Sequence, residues 1–288
     1  MASRAAPAAR GGTARALECR LISPESAPTA AKRAVEHTTL KMNHKQDTPL
    51  ANHHISVDCV IVGFDGEQLK VLLLKRTFKE GDTETQDMKL PGDLIYQDEN
   101  LDDAANRVLT EQTGIKRMST VQFKAYGSRN RTDKERDIKW LENTANIKVE
   151  RIVTIAYIAL VKIPANASSF KVDGNELCWK PVVSLPDLAF DHNRIVGEAL
   201  IHIRQMVTND PIYMFHLLPH KFTALQLRTL FERIYGKTFD VRNFQKKLKQ
   251  MKYVTPLEEY EKNVAHRAAR FYRLDKVEYN RLRKLGLE

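Results

Sequence analysis

Hydrophobic positions are sparse from residue 1 to 41 and change character at Ile55. Residues 56–64 (SVDCVIVGF) are β-branched and apolar, Asp65-Gly66 supplies a turn, and 69–74 (LKVLLL) follows, closed by Lys75 and Arg76. Two such runs around an Asp-Gly pair predict a β-hairpin. The polar stretch 77–88 reads as a loop. Residues 90–115 (LPGDLIYQDENLDDAANRVLTEQTGI) read as a Gly-bearing loop feeding an amphipathic helix. Asn100 is its expected N-cap, Asp102 and Asp103 occupy the first turn, and Leu101, Ala104, Ala105, Val108 and Leu109 recur at helical spacing. Gly114 falls where a helix ends in the left-handed conformation.

A strand is predicted near 121–126, then a charged stretch over 128–150. Residues 152–163 (IVTIAYIALVKI) form the most hydrophobic run of the chain, short and β-branched enough for a central strand. Residues 177–183 (LCWKPVV) predict another strand, ended at Leu185-Pro186. A helix over 191–207 is expected to be capped by Asp191. Asp210-Pro211 reads as a hinge, beyond which two short helices are predicted. Thr223 caps the first (TALQLRTLFERIYG), and Asp240 caps the second (VRNFQKKLKQM), with Phe244, Leu248 and Met251 inward. Tyr253-Val254 and 270–274 (RFYRL) read as the strands of a hairpin.

Charge changes this picture more than composition does. The chain carries a net +10, placed unevenly: +4 over 1–41, −3 over 42–210 and +9 over 211–288. A basic C-terminal quarter points to a polyanionic partner. Cys19, Cys59 and Cys178 lie far apart without a CxxC pair, which gives neither a disulfide framework nor a zinc site. No apolar run approaches the ~20 residues of a membrane span, so no membrane partner and a cytoplasmic location are expected. Residues 1–41 read as a structureless basic tail, or as an upstream extension of a frame starting at Met42.

The stretch 90–115 resembles the Nudix box, G-x5-E-x7-R-E-U-x-E-E-x-G-U with U aliphatic. Anchored on Gly114 and Ile115, Glu99, Arg107 and Glu111 fall on box positions. Asp93 stands in place of the opening Gly (Gly92 is one residue early), Val108 in place of the Glu after the Arg, and Gln112 in place of the last Glu. In the family, carboxylates three and four apart share one helix face and hold divalent cations against a diphosphate. With Glu111 alone on that face, the resemblance implies a retained fold without a metal cluster. No cofactor is expected, and Mg²⁺ at Glu111 would enter only with residual hydrolase activity.

The C-terminal pattern of capped helix, short turn, basic helix and hairpin is that of a winged helix-turn-helix. Arg242, Asn243 and Gln245 are suited to base edges, and Lys246, Lys249 and Arg267 to phosphates, with Lys262 and His266 also in the wing loop. Three stretches together resemble the Nudix-related transcriptional regulators of bacteria, a group with ADP-ribose-sensing and arabinose-responsive members. They are 105–114 (ANRVLTEQTG), Phe190-Asp191-His192, and 215–248.

The resemblance implies an α/β fold: a Nudix-type αβα sandwich with a mixed sheet, then an α+β winged helix. The expected division is an N-terminal extension (1–50), a sensor domain (51–188), a linker helix (189–210) and a DNA-binding domain (211–288). It implies a homodimer on a double-stranded DNA operator, controlled by a small-molecule effector, either a sugar or an ADP-ribose-like metabolite. The −3 balance of the middle region leans towards a neutral pentose.

Arg131 and Arg151 are the nearest match to the family's effector-binding arginines. Arg151, abutting the hydrophobic strand, is the better candidate, and Arg131 reads equally as a solvated loop cation. His192 reads as a capping or packing residue rather than a base. The alternative function is an active Nudix hydrolase of a nucleoside diphosphate derivative, drawing metal ligands from Glu135, Glu142 or Glu150.

Overall fold

The period-two alternation of one strand organises the fold. In β1 (Ala51–Phe64), Val57, Cys59 and Ile61 face one side of the sheet, and Val60, Val62 and Phe64 face the other. Both faces are buried, so the run is apolar throughout rather than alternating with polar residues. The computed structural model describes residues 50–80, 83–116, 118–145, 151–163, 168–265 and 267–286. The expected N-terminal tail, Glu150 and His266 lie outside the described residues.

β1 is followed by β2 (Leu69–Glu80), β3 (Thr83–Lys89), β4 (Gly92–Tyr96), α1 (Leu101–Thr113), β5 (Thr120–Tyr126), a 3-10 turn (Arg129–Thr132) and α2 (Glu135–Ala145). Then come β6 (Val153–Lys162), β7 (Ser169–Val172), β8 (Asn175–Pro181) and α3 (His192–Asn209). Among the described residues these strands form one mixed sheet in the order β5-β6-β1-β2-β8-β7, with β3 on β2 and β4 on β1. The predicted hairpin is present, with Val62 opposite Val71 and Gly66 at φ +103°. The hydrophobic run 152–163 supplies β6, which pairs parallel to β1 over Ile55↔Val153 to Phe64↔Lys162. α1 covers the Val57 face and α3 the Val60 face, giving the expected αβα sandwich.

The stretch 77–88, expected as a loop, is instead the continuation of β2 and the start of β3, paired from Leu74↔Lys89 to Glu80↔Thr83. Its backbone ladder supplies the pairing that its polar sequence does not advertise. At the start of α1, Asn100 makes no side-chain cap; its amide donates to Asp103 Oδ2 at 3.0 Å. Gly114 ends the helix at φ +71°, as predicted.

The C-terminal half comprises α4 (Ile212–Phe215), β9 (Phe222–Thr223), α5 (Ala224–Tyr235), α6 (Val241–Gln250), β10 (Val254–Tyr260), β11 (Arg270–Leu274) and α7 (Lys276–Lys284). Thr223 and Gln226 close a capping box on α5, and Asp240 Oδ1 accepts from Asn243 N at 2.9 Å on α6. β10, β11 and β9 form the wing sheet in that order. α7 has no counterpart among the predicted elements; Asp275 caps it, and it buries Tyr279 and Leu282.

Asp210, expected as the hinge into the C-terminal half, is buried. It accepts from the Tyr279 hydroxyl, pairs with Arg283 at 3.0 Å and takes Ile212 N at 3.1 Å. α3, expected as a linker, packs on the sheet through Ile195, Val196 and Ala199. Its far end, with Ile203, Met206 and Val207, packs in the same continuous core as Leu227, Phe231 and Phe244. Arg204 Nε donates to Ile234 O at 2.9 Å, and Arg233 Nε to Glu67 O at 2.7 Å. No helix among the described residues is long and apolar enough to cross a membrane.

Candidate functional site

Arg107 and Gln112 of the box helix α1 are held mainly by β4 and the loop that joins it to the helix. Arg107 is the hub. It bonds both Glu99 oxygens (2.7 and 3.0 Å), Asp93 (3.0 Å) and Leu94 O (2.9 Å), and lies 3.9 Å over the Tyr96 ring. Burial alone would lower the Arg107 guanidinium, but Glu99 and Asp93 raise it above its ordinary value. Burial would likewise raise Glu99, whereas Arg107 and the Tyr96 N–H hold it below the usual carboxylate range.

Val108 is fully buried in the core beneath α1. The Gln112 amide closes on the backbone of one residue, accepting from Gly92 N at 3.0 Å and donating to Gly92 O at 3.2 Å. A carboxylate there could only accept. Gly92 has no room for a side chain, since a Cβ would stand 2.1 Å from Asp58 Oδ1 and 2.7 Å from Val57 O. Glu111 points outward, its side chain 62% exposed and 3.7 Å from Arg107. With Glu99 bound to arginine, Gln112 to backbone and Val108 in the core, this donor set does not fit a multi-metal cluster. Glu135 and Glu142 are exposed on α2, and among the described residues no group of three or more His, Cys, Asp and Glu gathers into a metal site.

The chemistry-bearing pocket lies on the other face, where Asp58 interrupts the apolar run of β1 and meets the start of α3. It encloses ≈ 320 Å³, lined among others by Asp58, Lys89, Arg131, Trp140, Phe190 and His192. Arg131, in the 3-10 turn, is 5% exposed. It donates to Asp58 Oδ2 at 3.4 Å, Asp191 Oδ1 at 3.2 Å and Ile152 O at 3.3 Å. His192 Nδ1 accepts from Leu90 N at 3.0 Å, which places the neutral ring's proton on Nε2, 3.5 Å from Asp58 Oδ2. Lys89 Nζ donates to Gly92 O at 2.7 Å and lies 5.4 Å from the Trp140 ring centre.

Behind this wall Arg76 bridges Asp87 and Asp137, all three nearly excluded from solvent, with its guanidinium 5.0 Å from the Trp140 centroid and 5.4 Å from that of Phe190. Phe190 sits at φ +53°, strained for a bulky residue, and is held there by its N–H donating to Asp137 Oδ2 at 2.7 Å. The arrangement offers cations and aromatic faces to one ligand.

Burial would raise the Asp58 carboxyl, yet His192, Arg131 and Lys89 hold it well below the usual carboxylate range. A carboxyl whose folded value is depressed adds stability above its unfolded value, about 3.9, and loses it as pH falls. The wild-type Tm advantage over Asp58→Asn is therefore expected to be largest at neutral pH and to shrink below pH ~4, read by differential scanning calorimetry. An unchanged difference at low pH would remove Asp58 from the charged network.

The two arginines expected at an effector site lie apart. Arg131, which read equally as a solvated cation, is in the pocket. Arg151, preferred there, is exposed and bonds Gly127 O outside the pocket's lining. Asp191 does not cap α3 with its side chain; its carboxylate goes to Arg131. His192 is indeed packed, but beside Asp58 rather than as a cap. Asp58, Lys89, Trp140 and Arg76 were missed, although a lone aspartate inside an apolar strand run was a readable signal.

At the other end of the molecule α6 exposes Arg242, Asn243, Gln245, Lys246 and Lys249. Among the described residues none of these five side chains makes an ion pair or hydrogen bond. Arg267 and Lys262 are exposed in the wing loop.

The family model "NUDIX domain" matches residues 52–196, and "NrtR DNA-binding winged helix domain" matches 214–274. The chain is 25% identical over 248 residues to an "ADPR responsive transcriptional repressor NtrR" of Acinetobacter baylyi, covering 85% of this chain and 90% of that protein. It is similar in fold to Shewanella oneidensis NrtR solved with a 27mer DNA (TM-score 0.55, 23% identity, 76% of this chain and 93% of that one). A MutT/nudix family protein from Enterococcus faecalis is also similar (TM-score 0.52, 23% identity, 81% and 90%). From strand order, box helix and both family matches, the chain belongs to the Nudix-related regulator family, a Nudix domain followed by an NrtR-type winged helix.

Proposed function

We propose that this protein is a transcriptional regulator that binds duplex DNA through α6 and the wing, and senses an ADP-ribose-like metabolite in the Asp58–Arg131 pocket. The observation that carries the reading is the set of unpartnered Arg242, Lys246 and Lys249 on an exposed, rigidly capped helix. Several long cations elsewhere are bound to carboxylates, as Arg107, Arg131 and Arg281 are, whereas Arg242, Lys246 and Lys249 gather on one face of one helix. Cations left without internal partners are available to phosphate.

Two observations favour an ADP-ribose-like effector over the neutral pentose suggested by regional charge. Trp140 and Phe190 give flat walls suited to a base, and Lys89, whose ammonium bonds Gly92 O rather than a carboxylate, gives a donor suited to a diphosphate beside Arg131. The Acinetobacter relative named ADPR responsive supports the same chemistry. The box helix holds and orients here rather than hydrolysing, because its metal-facing positions are a core valine, a backbone-bound amide and one outlying carboxylate. Two copies on a palindromic operator would place the two α6 helices in successive major grooves.

The test is a fluorescence anisotropy titration on duplexes from the protein's own upstream region, with and without ADP-ribose. Affinity is expected to fall steeply with salt, because each phosphate contact adds about 0.9 to the slope of log K against log salt. ADP-ribose is expected to change that affinity and raise the Tm, whereas arabinose does neither, and Arg131→Ala is expected to abolish both responses. No DNA binding at low salt, or Mg²⁺-dependent turnover of ADP-ribose lost in Glu111→Gln, would overturn the reading.

A further inference from the structure

A larger cavity, ≈ 760 Å³, lies at the junction between the Nudix sheet and the winged helix, away from the Asp58 pocket. The sheet side contributes Gly114, Lys162 and Trp179, and the winged-helix side His216, Phe222 and Lys276. Most of the remaining wall is aliphatic or aromatic. Its charge is one-sided: Lys162, Lys276, His216 and His220 line it, and among the described residues no Asp or Glu does.

Lys162 and Lys276 are exposed at its edge, and among the described residues neither side chain has an ion pair or hydrogen bond. Trp179 is 7% exposed and, among the described residues, its indole N–H finds no acceptor. A buried donor without a partner is costly, and like charges gathered without a counter-charge repel. The effect reaches His216, which partial burial first, then Lys276 and Lys162, push below its ordinary value against the pull of Asp210.

We propose that this junction cavity is a second ligand site, for a small organic anion with a flat apolar body and a carboxylate or phosphate group. The body lies among Phe170, Trp179 and Phe222. The anionic group sits between Lys162 and Lys276, supplying the counter-charge that the lining lacks. Because the lysines come from opposite halves of the junction, an occupant ties the wing side to the sheet side. It thus has a different lever from a ligand beside Asp58.

The test uses the full chain with 1-anilinonaphthalene-8-sulfonate as fluorescent probe. Saturable one-to-one binding is expected, at least about tenfold weaker in Lys162→Ala/Lys276→Ala, as expected when roughly one charge-assisted hydrogen bond is removed. Binding is expected to be unchanged in Lys284→Ala, which removes an exposed lysine outside this lining, so the loss reports the two cavity lysines rather than net charge. Displacement by 2-naphthoate marks the carboxylate arm, and displacement by AMP the phosphate arm. Either displacer is also expected to move the His216 C2-proton titration upward, an effect that simple filling of apolar space would not produce. Both lysines are exposed, so the double variant should fold, and Lys276→Glu alone repeats the measurement. Equal probe affinity in the lysine variants, displacement by neutral 2-naphthalenemethanol as readily as by the anions, or an unmoved His216 would each overturn the proposal.

Discussion

Replacing Arg242, Lys246 and Lys249 together by alanine is expected to weaken duplex binding roughly a hundredfold to ten-thousandfold, at about 1–2 kcal/mol for each cation removed from the DNA. The salt slope should flatten by about 2–3, because that many counterions are no longer released. Folding should hardly change. All three side chains are exposed and without internal partners, whereas the helix is held by Phe244, Leu248 and the Asp240 cap. Singly, Lys246→Ala should lower affinity about equally on all sequences, and Arg242→Ala should relax preference at particular base pairs. Anisotropy across several salt concentrations reads all of this. A triple variant that binds as tightly as wild type would move the DNA-binding surface elsewhere on the protein.

The largest stability loss is expected at Arg76. Its guanidinium serves two carboxylates, with side-chain exposures of 3% for Arg76, 5% for Asp87 and 0% for Asp137. Removing it in Arg76→Ala strands two buried charges, with Arg136, 3.7 Å from Asp87, as a remote substitute. Breaking such a set from one side costs about 3–5 kcal/mol. In a domain of this size that is a Tm loss of roughly 10 °C by calorimetry or circular dichroism. Asp137 also holds the strained Phe190 backbone, so Arg76→Ala should loosen the Phe190 and Trp140 walls and weaken ADP-ribose binding along with stability. A loss below about 1 kcal/mol would mean that water reaches these carboxylates, contrary to their burial.

What could be read from sequence was mostly local. The box helix, α5 and α6 announce themselves through apolar positions three and four apart, and α5 and α6 also through caps at the helix start. The hairpin at Asp65-Gly66 is likewise a short-range signal. The pocket is the opposite case: residues 58, 89, 131, 140 and 192 come from β1, β3, the 3-10 turn, α2 and α3, and meet only when these five elements pack. No spacing rule joins them, and an arginine in a polar stretch such as 128–150 looks solvated until its buried partners are placed. Arg151, beside a hydrophobic strand, is exposed and bonds Gly127 O, since proximity in sequence to a core strand does not decide on which side of it a side chain leaves. β3 and the far half of β2 were hidden because their pairing is made by backbone groups, which every polar sequence carries equally. α7 has only two buried residues in nine, too faint a stripe to stand out.

The shared core running along α3 bears on how such a protein could be rebuilt. An engineer who severed the chain at Asp210-Pro211 to graft this sensor onto another reader would uncover Met206, Val207 and Met214 and leave the Tyr279 hydroxyl without its acceptor. Both fragments would carry a raw apolar scar. Chimeras should instead exchange α6 alone, whose outward residues can be rewritten while Phe244, Leu248 and the Asp240 cap stay in place. New operator preferences would then be acquired by repainting one helix face, with the transmission between the halves left intact.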